Sequence, residues 1–232
     1  MFKFRPKAFT FDTGGTILDW HTGFKKGWEK VKIDYGLNIN PSELANLQRR
    51  KSLNIITTQK GNSLVNFDQA HQIAVTEICN EKQIDIKDED KLYLYRKIPS
   101  QLNAWDDFLE PFNSLKTSNL CVSFTLLSNR LVFTNSKKNN INWDLIISCE
   151  TIGIYKPNLD AYLKTAELLQ LNPSECCMVA CHSFDLNAAQ KAGFSTIFVK
   201  RPLEWGNDTK VNVDGEYNFV IDSFDEIASY LK

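Results

Sequence analysis

"TFDTGGTILDW", Thr10 to Trp20, decides how this chain is read. The run "KAFTFD" predicts a buried strand ending on Asp12, and the Gly-Gly behind it is a turn signal. A carboxylate carried by a buried strand into a tight turn is a candidate reactive group. Two places further on stands Gly14, so the turn offers no second carboxylate to share acid–base work.

Downstream of this stretch, residues from about Thr22 to Pro99 carry only helical patterns. In "PSELANLQRRKSLNIITTQ", Pro41 suits a first helical turn and Leu44, Leu47 and Leu53 recur at helical spacing. "FDQAHQIAVTEICNEKQI" and "DEDKLYLYRKI" extend the block to Pro99. From Trp105 the pattern changes. Short β-rich runs ("LCVSFTLLS", "WDLIISC", "CCMVAC", "STIFVK", "NFVID") alternate with helical ones ("LDAYLKTAELLQL", "DLNAAQKAG") and a last helix is expected in "FDEIASYLK". Such alternation predicts an α/β fold, a Rossmann-like parallel sheet covered by helices on both faces. The first strand belongs to that sheet. Residues 1–20 and 100–232 would then form the core, and 21–99 an inserted α-helical cap. Ligands of open α/β sheets bind beyond the carboxyl ends of the strands. Asp12, Ser128, Asn129 and the run His182 to Asp185 all fall at such ends.

The bulk properties narrow the function. The chain has 232 residues, 43% hydrophobic, with a net charge of −1, so no long-range field favours nucleic acid or an anionic membrane. "RPK" and "QRRK" are too short and broken for a polybasic arm. No stretch approaches the roughly 20 apolar residues of a membrane span, and "AFTF" is too short for a signal peptide. Six scattered cysteines lack the spacing of a zinc or redox motif. Cys176, Cys177 and Cys181 lie in an apolar run and are expected to act as small buried hydrophobes. A reducing cytoplasm is the expected setting.

"FDTGGTILDW", "LLSNR", "IYKPNLDAY" and "VACHSFDLNAAQKAGFSTIFVKRPLEWG" together resemble the four motif blocks of the haloacid dehalogenase superfamily. They resemble most its type II 2-haloacid dehalogenase branch, with a helical cap after the first block. The resemblance implies Asp12 as nucleophile. An ordinary aspartate, with pKa about 3.9, is already ionised at neutral pH and needs no activating base. Phosphatases of the superfamily carry an acid at the position of Gly14, which protonates an alkoxide leaving group. Halide leaves without a proton, so the missing acid costs a dehalogenase little.

The same resemblance implies that Thr16, Ser128 and Asn129 bond the nucleophile or a substrate carboxylate. It makes Lys156 the partner that aligns Asp12, Tyr162 a pocket wall, and Asp185 the acid that orients Lys156 and water. Arg49 matches the cap cation; Arg50 points about 100° away on a helix, so one of the two faces the site. Arg130 follows where the family often has glycine. Ala180 and His182 replace a serine and an asparagine, and His182 could serve as base or donor. Trp20, Trp105 and Trp205 are candidate pocket aromatics. The expected activity is hydrolysis of a small 2-halo carboxylate, with water as second substrate and no cofactor; a homodimer follows only by analogy. Two alternatives stay open. One is a phosphohydrolase holding Mg²⁺ on Asp12, the Gly14 carbonyl and Asp185; the other is a binding protein with little turnover.

Overall fold

The computed structural model describes residues 5–61, 64–207 and 211–231. Strand β1 (Ala8–Phe11) is buried on both faces, as a central parallel strand must be. The chain then forms a two-residue strand β2 (Leu18–Asp19) and helices α1 (Trp20–Asp34), α2 (Pro41–Thr58), α3 (Phe67–Glu81) and α4 (Asp88–Leu92). The last runs on as a π-helical turn, Tyr93–Lys97, and a 3₁₀ turn, Ile98–Ser100. β3 (Asn103–Ala104) returns antiparallel to β2, so the helical segment leaves and re-enters through a two-stranded ribbon.

The remainder alternates: α5 (Leu109–Lys116), β4 (Leu120–Thr125), α6 (Asn129–Lys138), β5 (Leu145–Ser148), α7 (Cys149–Ile152) and α8 (Leu159–Leu168). β6 (Cys176–Ala180), α9 (Ser183–Lys191), β7 (Ser195–Val199) and β8 (Phe219–Ile221) complete it. The six-stranded sheet has the order β5-β4-β1-β6-β7-β8, and every pairing is parallel. The α/β expectation is met. From β1 the chain steps outward to β4 and β5, then crosses back to β6 on the other side. That reversal opens a crevice at the carboxyl ends of β1 and β6, where Asp12 and His182 stand.

Local chemistry sets the helices that face this crevice. Asn40 caps α2 by accepting from the Ser42 and Glu43 amides, with Pro41 in the first turn. Leu44, Ala45, Gln48, Arg49, Ser52 and Ile56 then share its buried face. Asn66 and Gln69 close a reciprocal capping box on α3. The end of the chain departs from expectation: Phe224–Leu231 is a 3₁₀ helix. Residues three apart eclipse in that geometry, and it buries Phe224 and Ile227 together, Phe224 against Phe108. Among the described residues no helix is long and apolar enough to cross a membrane.

Candidate active site

Asp12 is 5% exposed and follows β1, its backbone amide donating to Val179 O of β6 at 3.0 Å. The Thr16 hydroxyl donates to Oδ2 at 2.8 Å, and Lys156 Nζ lies 3.1 Å from Oδ1. Lys156 is fully buried; it also donates to Phe124 O at 3.0 Å and to Asp185 Oδ2 at 2.5 Å. The Tyr162 hydroxyl donates to Asp185 Oδ1 at 2.6 Å. Burial alone would push Asp12 up, but the Lys156 charge and bonds from His182 and Thr16 hold it well below the usual carboxylate range. Lys156 is raised above the ordinary lysine value against its own burial, by Asp12 and Asp185. Burial and the Asp12 charge raise Asp185, opposed by Lys156 and Tyr162. One ammonium thus sits between two carboxylates in a dry interior, which is tolerable because each carboxylate oxygen has a hydrogen-bond partner.

Tyr162 differs from its expected position as a pocket wall. Ala161, Tyr162, Thr165 and Ala166 form the buried face of α8, so the ring lies beneath Asp185, against Phe124 and Phe194. Ala180 ends β6, fully buried.

On the other side of Asp12, His182 Nδ1 lies 3.2 Å from Oδ2 and Nε2 lies 2.8 Å from Glu204 Oε1. Trp20 Nε1 donates to the same Glu204 oxygen at 3.0 Å. Glu204 is 5% exposed and held below its ordinary value, with the His182 and Arg49 charges outweighing burial. His182, despite burial, is raised well above the ordinary histidine value by Cys181, Glu204 and Asp12. Sequence reasoning missed Glu204. It arrives in the loop after β7, and a signal did exist: an acid beyond the neighbouring strand's carboxyl end. Gly15, at φ 102°, makes the approach possible, because a Cβ there would stand 2.3 Å from Glu204 Oε1. Cys181 also departs from expectation. β6 stops at Ala180, so Cys181 is half-buried in the turn, its thiol 3.5 Å from His182 Nε2 and 3.6 Å from Glu204 Oε2.

α2 turns Arg49 inward and Arg50 outward. Arg49 is 4% exposed, donates from Nη2 to Gly14 O at 2.8 Å, and stacks over Trp20 and Phe67. Among the described residues its Nε has no hydrogen-bond partner. A Cβ at Gly14 would stand 3.3 Å from Nη2, so the guanidinium fills the space a side chain at 14 would need. Arg50 lies over the Trp205 ring. Of the other tryptophans, Trp105 donates to Gly15 O and Trp20 is core.

Ser128 and Asn129 stand at the end of β4, but their side chains are engaged elsewhere. The Ser128 hydroxyl caps α6 and donates to Asp68 Oδ2 of α3 at 2.6 Å. Asp68 is also ion-paired with Arg130. Asn129 Oδ1 accepts from the Thr151 hydroxyl, and the Asn129 backbone amide donates to Glu150. Directly over Asp12 the space is about 10 Å³, bounded by Arg49, Phe67, Leu127, His182 and Phe184. Beyond His182 and Phe184 lies a larger cavity of about 410 Å³, reaching Arg50, Cys181, Glu204 and Trp205.

The Mg²⁺ donor set of the alternative reading does not fit these residues. Both Asp185 oxygens serve Lys156 and Tyr162, and the Gly14 carbonyl faces the Arg49 guanidinium. A divalent cation there would meet two fixed positive charges.

The chain matches the haloacid dehalogenase-like hydrolases over residues 6–193. It belongs to that family and is a hydrolase of it. A (S)-2-haloacid dehalogenase 4A of Burkholderia cepacia is 27% identical over 205 residues, 84% of this chain and 83% of that protein. A (S)-2-haloacid dehalogenase 1 of Pseudomonas sp. (strain CBS-3) is 25% identical over 92% of this chain and 88% of its own. The crystal structure of a defluorinating L-2-haloacid dehalogenase superposes with a TM-score of 0.89, at 26% identity and 98% coverage of both chains.

Proposed function

We propose that this chain is a 2-haloacid dehalogenase that hydrolyses small 2-halo carboxylates through an ester on Asp12. One observation carries the reading: the guanidinium of Arg49, buried and with Nε unpaired, lies over Gly14 beside the Asp12 carboxylate. A phosphatase would need an acid in that place. A dehalogenase needs a cation for the departing halide or the substrate carboxylate, and the likeness to named dehalogenases adds support.

In the first step an Asp12 oxygen attacks the α-carbon with inversion, and halide leaves towards Arg49 without taking a proton. Lys156 and Thr16 keep the carboxylate ionised and aligned. In the second step water attacks the Asp12 carbonyl carbon. Asp185 is fully buried with both oxygens engaged, which leaves His182 as the base. Glu204 fixes the tautomer by holding Nε2–H, so Nδ1 faces the reacting carboxyl. Esterification removes the Asp12 charge that holds a proton on Nδ1, and that proton accompanies the halide into solvent. The freed lone pair takes a proton from water and returns it to the alkoxide oxygen of the product. Regenerated Asp12 ionises by giving its proton back to Nδ1, which restores the resting pair. The space over Asp12 holds about one water-sized probe, so a substrate must displace the surrounding side chains and the smallest 2-halo acids demand the least of them.

The same reading takes residues 1–20 and 100–232 as the core and 21–99 as the cap, joined at the β2–β3 ribbon. A cytoplasmic setting is part of it, supported by six free cysteines; a homodimer is carried over from the family by analogy. The test is a single turnover of chloroacetate in ¹⁸O-water with enzyme in excess. Label in the Asp12 peptide and an unlabelled product hydroxyl are expected. Label in the product alone would rule out the ester, and Mg²⁺-dependent phosphate release without halide release would favour a phosphohydrolase.

A further inference from the structure

Cys181, His182 and Glu204 bring a thiol, an imidazole nitrogen and a carboxylate together at the wall of the 410 Å³ cavity. We propose that they form a site for a thiophilic divalent cation of the zinc class, and that occupancy arrests the enzyme. Bonds of about 2.3 Å to sulfur and about 2.0 Å to nitrogen or oxygen set tetrahedral S···N and S···O edges near 3.5 Å. The thiol lies 3.5 Å from Nε2 and 3.6 Å from Glu204 Oε2, already at those separations. Oε1 is already engaged by Trp20, so Oε2 is the carboxylate ligand, and the Nε2 hydrogen bond to Oε1, at 2.8 Å, is given up as the ion takes the Nε2 lone pair.

A second feature of metal-binding histidines is also present. Such a ring donates its other N–H to a carboxylate, which fixes its orientation, and here Nδ1 faces Asp12 Oδ2 at 3.2 Å. The cavity leaves the fourth coordination position open to water and gives the ion a way in. Binding releases the Cys181 thiol proton and the Nε2 proton to solvent. The ring then keeps its proton on Nδ1, aimed at Asp12, and its only lone pair on the metal. It can no longer accept a proton from water. The first half-reaction needs neither atom, so zinc should stop ester hydrolysis and leave Asp12 alkylation intact.

The site itself does not depend on the dehalogenase reading; the arrest does. Zn²⁺ binding by the whole protein, measured in competition with a chromophoric chelator, should show one equivalent bound. Co²⁺ in its place should give a thiolate-to-metal absorption band. Cys181→Ser should abolish the band and weaken Zn²⁺ by more than the roughly 10–100-fold that loss of an outer partner costs. Glu204→Gln should weaken it likewise, whereas Cys79→Ser should not. No band, or unchanged affinity in Cys181→Ser, overturns the site. With chloroacetate, one equivalent of Zn²⁺ should permit one burst of chloride and then leave esterified Asp12, and Cys181→Ser should escape this arrest. Steady turnover with zinc bound overturns the arrest. Absence of chloride release from the zinc-free protein counts against the dehalogenase reading and leaves the binding result standing.

Discussion

Asp12 has two flanks of opposite character. On one, Lys156 is fully buried, bonded to Asp12, Asp185 and a backbone carbonyl, and sealed by Tyr162 from below. On the other, the side chain of His182 keeps 11% exposure and borders a cavity wide enough for water and small ions. Both flanks set a cation against a carboxylate pair, yet only the second can exchange protons with solvent. Burial that completes every hydrogen bond makes a fixed charge. Burial that leaves one edge wet makes a group that can turn over.

Replacing the sealed cation should have the largest effect. Lys156→Met leaves Asp12 and Asp185 facing each other without a counter-charge, a loss of about 3–5 kcal/mol for a broken buried pair. Denaturant unfolding should report it, with turnover lost; near-native stability would mean the flank is less dry than described. On the open flank, His182→Gln should fold normally and lower kcat about 10²–10⁴-fold. It should still release one equivalent of halide, with the Asp12 peptide left alkylated. Loss of that burst would move His182 into the first step. The smallest contrast lies on neighbouring residues of α2. Arg49→Ala should cost about 10²-fold in kcat/KM, whereas Arg50→Ala, on the outer cavity, should stay within about twofold. Equal effects would erase the distinction between inner and outer space.

The sealed flank was largely legible in the sequence, the open one only in part. Asp12 lies at the end of an expected strand, the resemblance to the dehalogenase motifs pointed to Lys156, Asp185 and Arg49, and helical geometry allowed only one of Arg49 and Arg50 to face the site. Glu204 was marked only as an acid beyond a strand's carboxyl end, and its contact with His182 was not legible, because it depends on the loop after β7 crossing above a neighbouring strand and on Gly15 leaving room. Tyr162 was known by position but not by direction, which the inward face of α8 decides. Ser128 gave no sign that Asp68, from α3, would engage its hydroxyl. Cys181 read as strand because its apolar run continues one residue beyond the sheet.

Gly14 has a consequence for how the two chemistries of this fold can interconvert. Two of the four glycine codons lie one base from an aspartate codon, so a lineage using one of them acquires the phosphatase acid in one mutation. In this protein that carboxyl would be built into the space of a guanidinium whose nearest nitrogen is 3.3 Å from the new Cβ. It would pair with Arg49 and stay ionised instead of offering a proton to a leaving group. The two enzymes are neighbours in the genetic code and strangers in structure; the crossing requires Arg49 to go first, and with it the site for the departing anion.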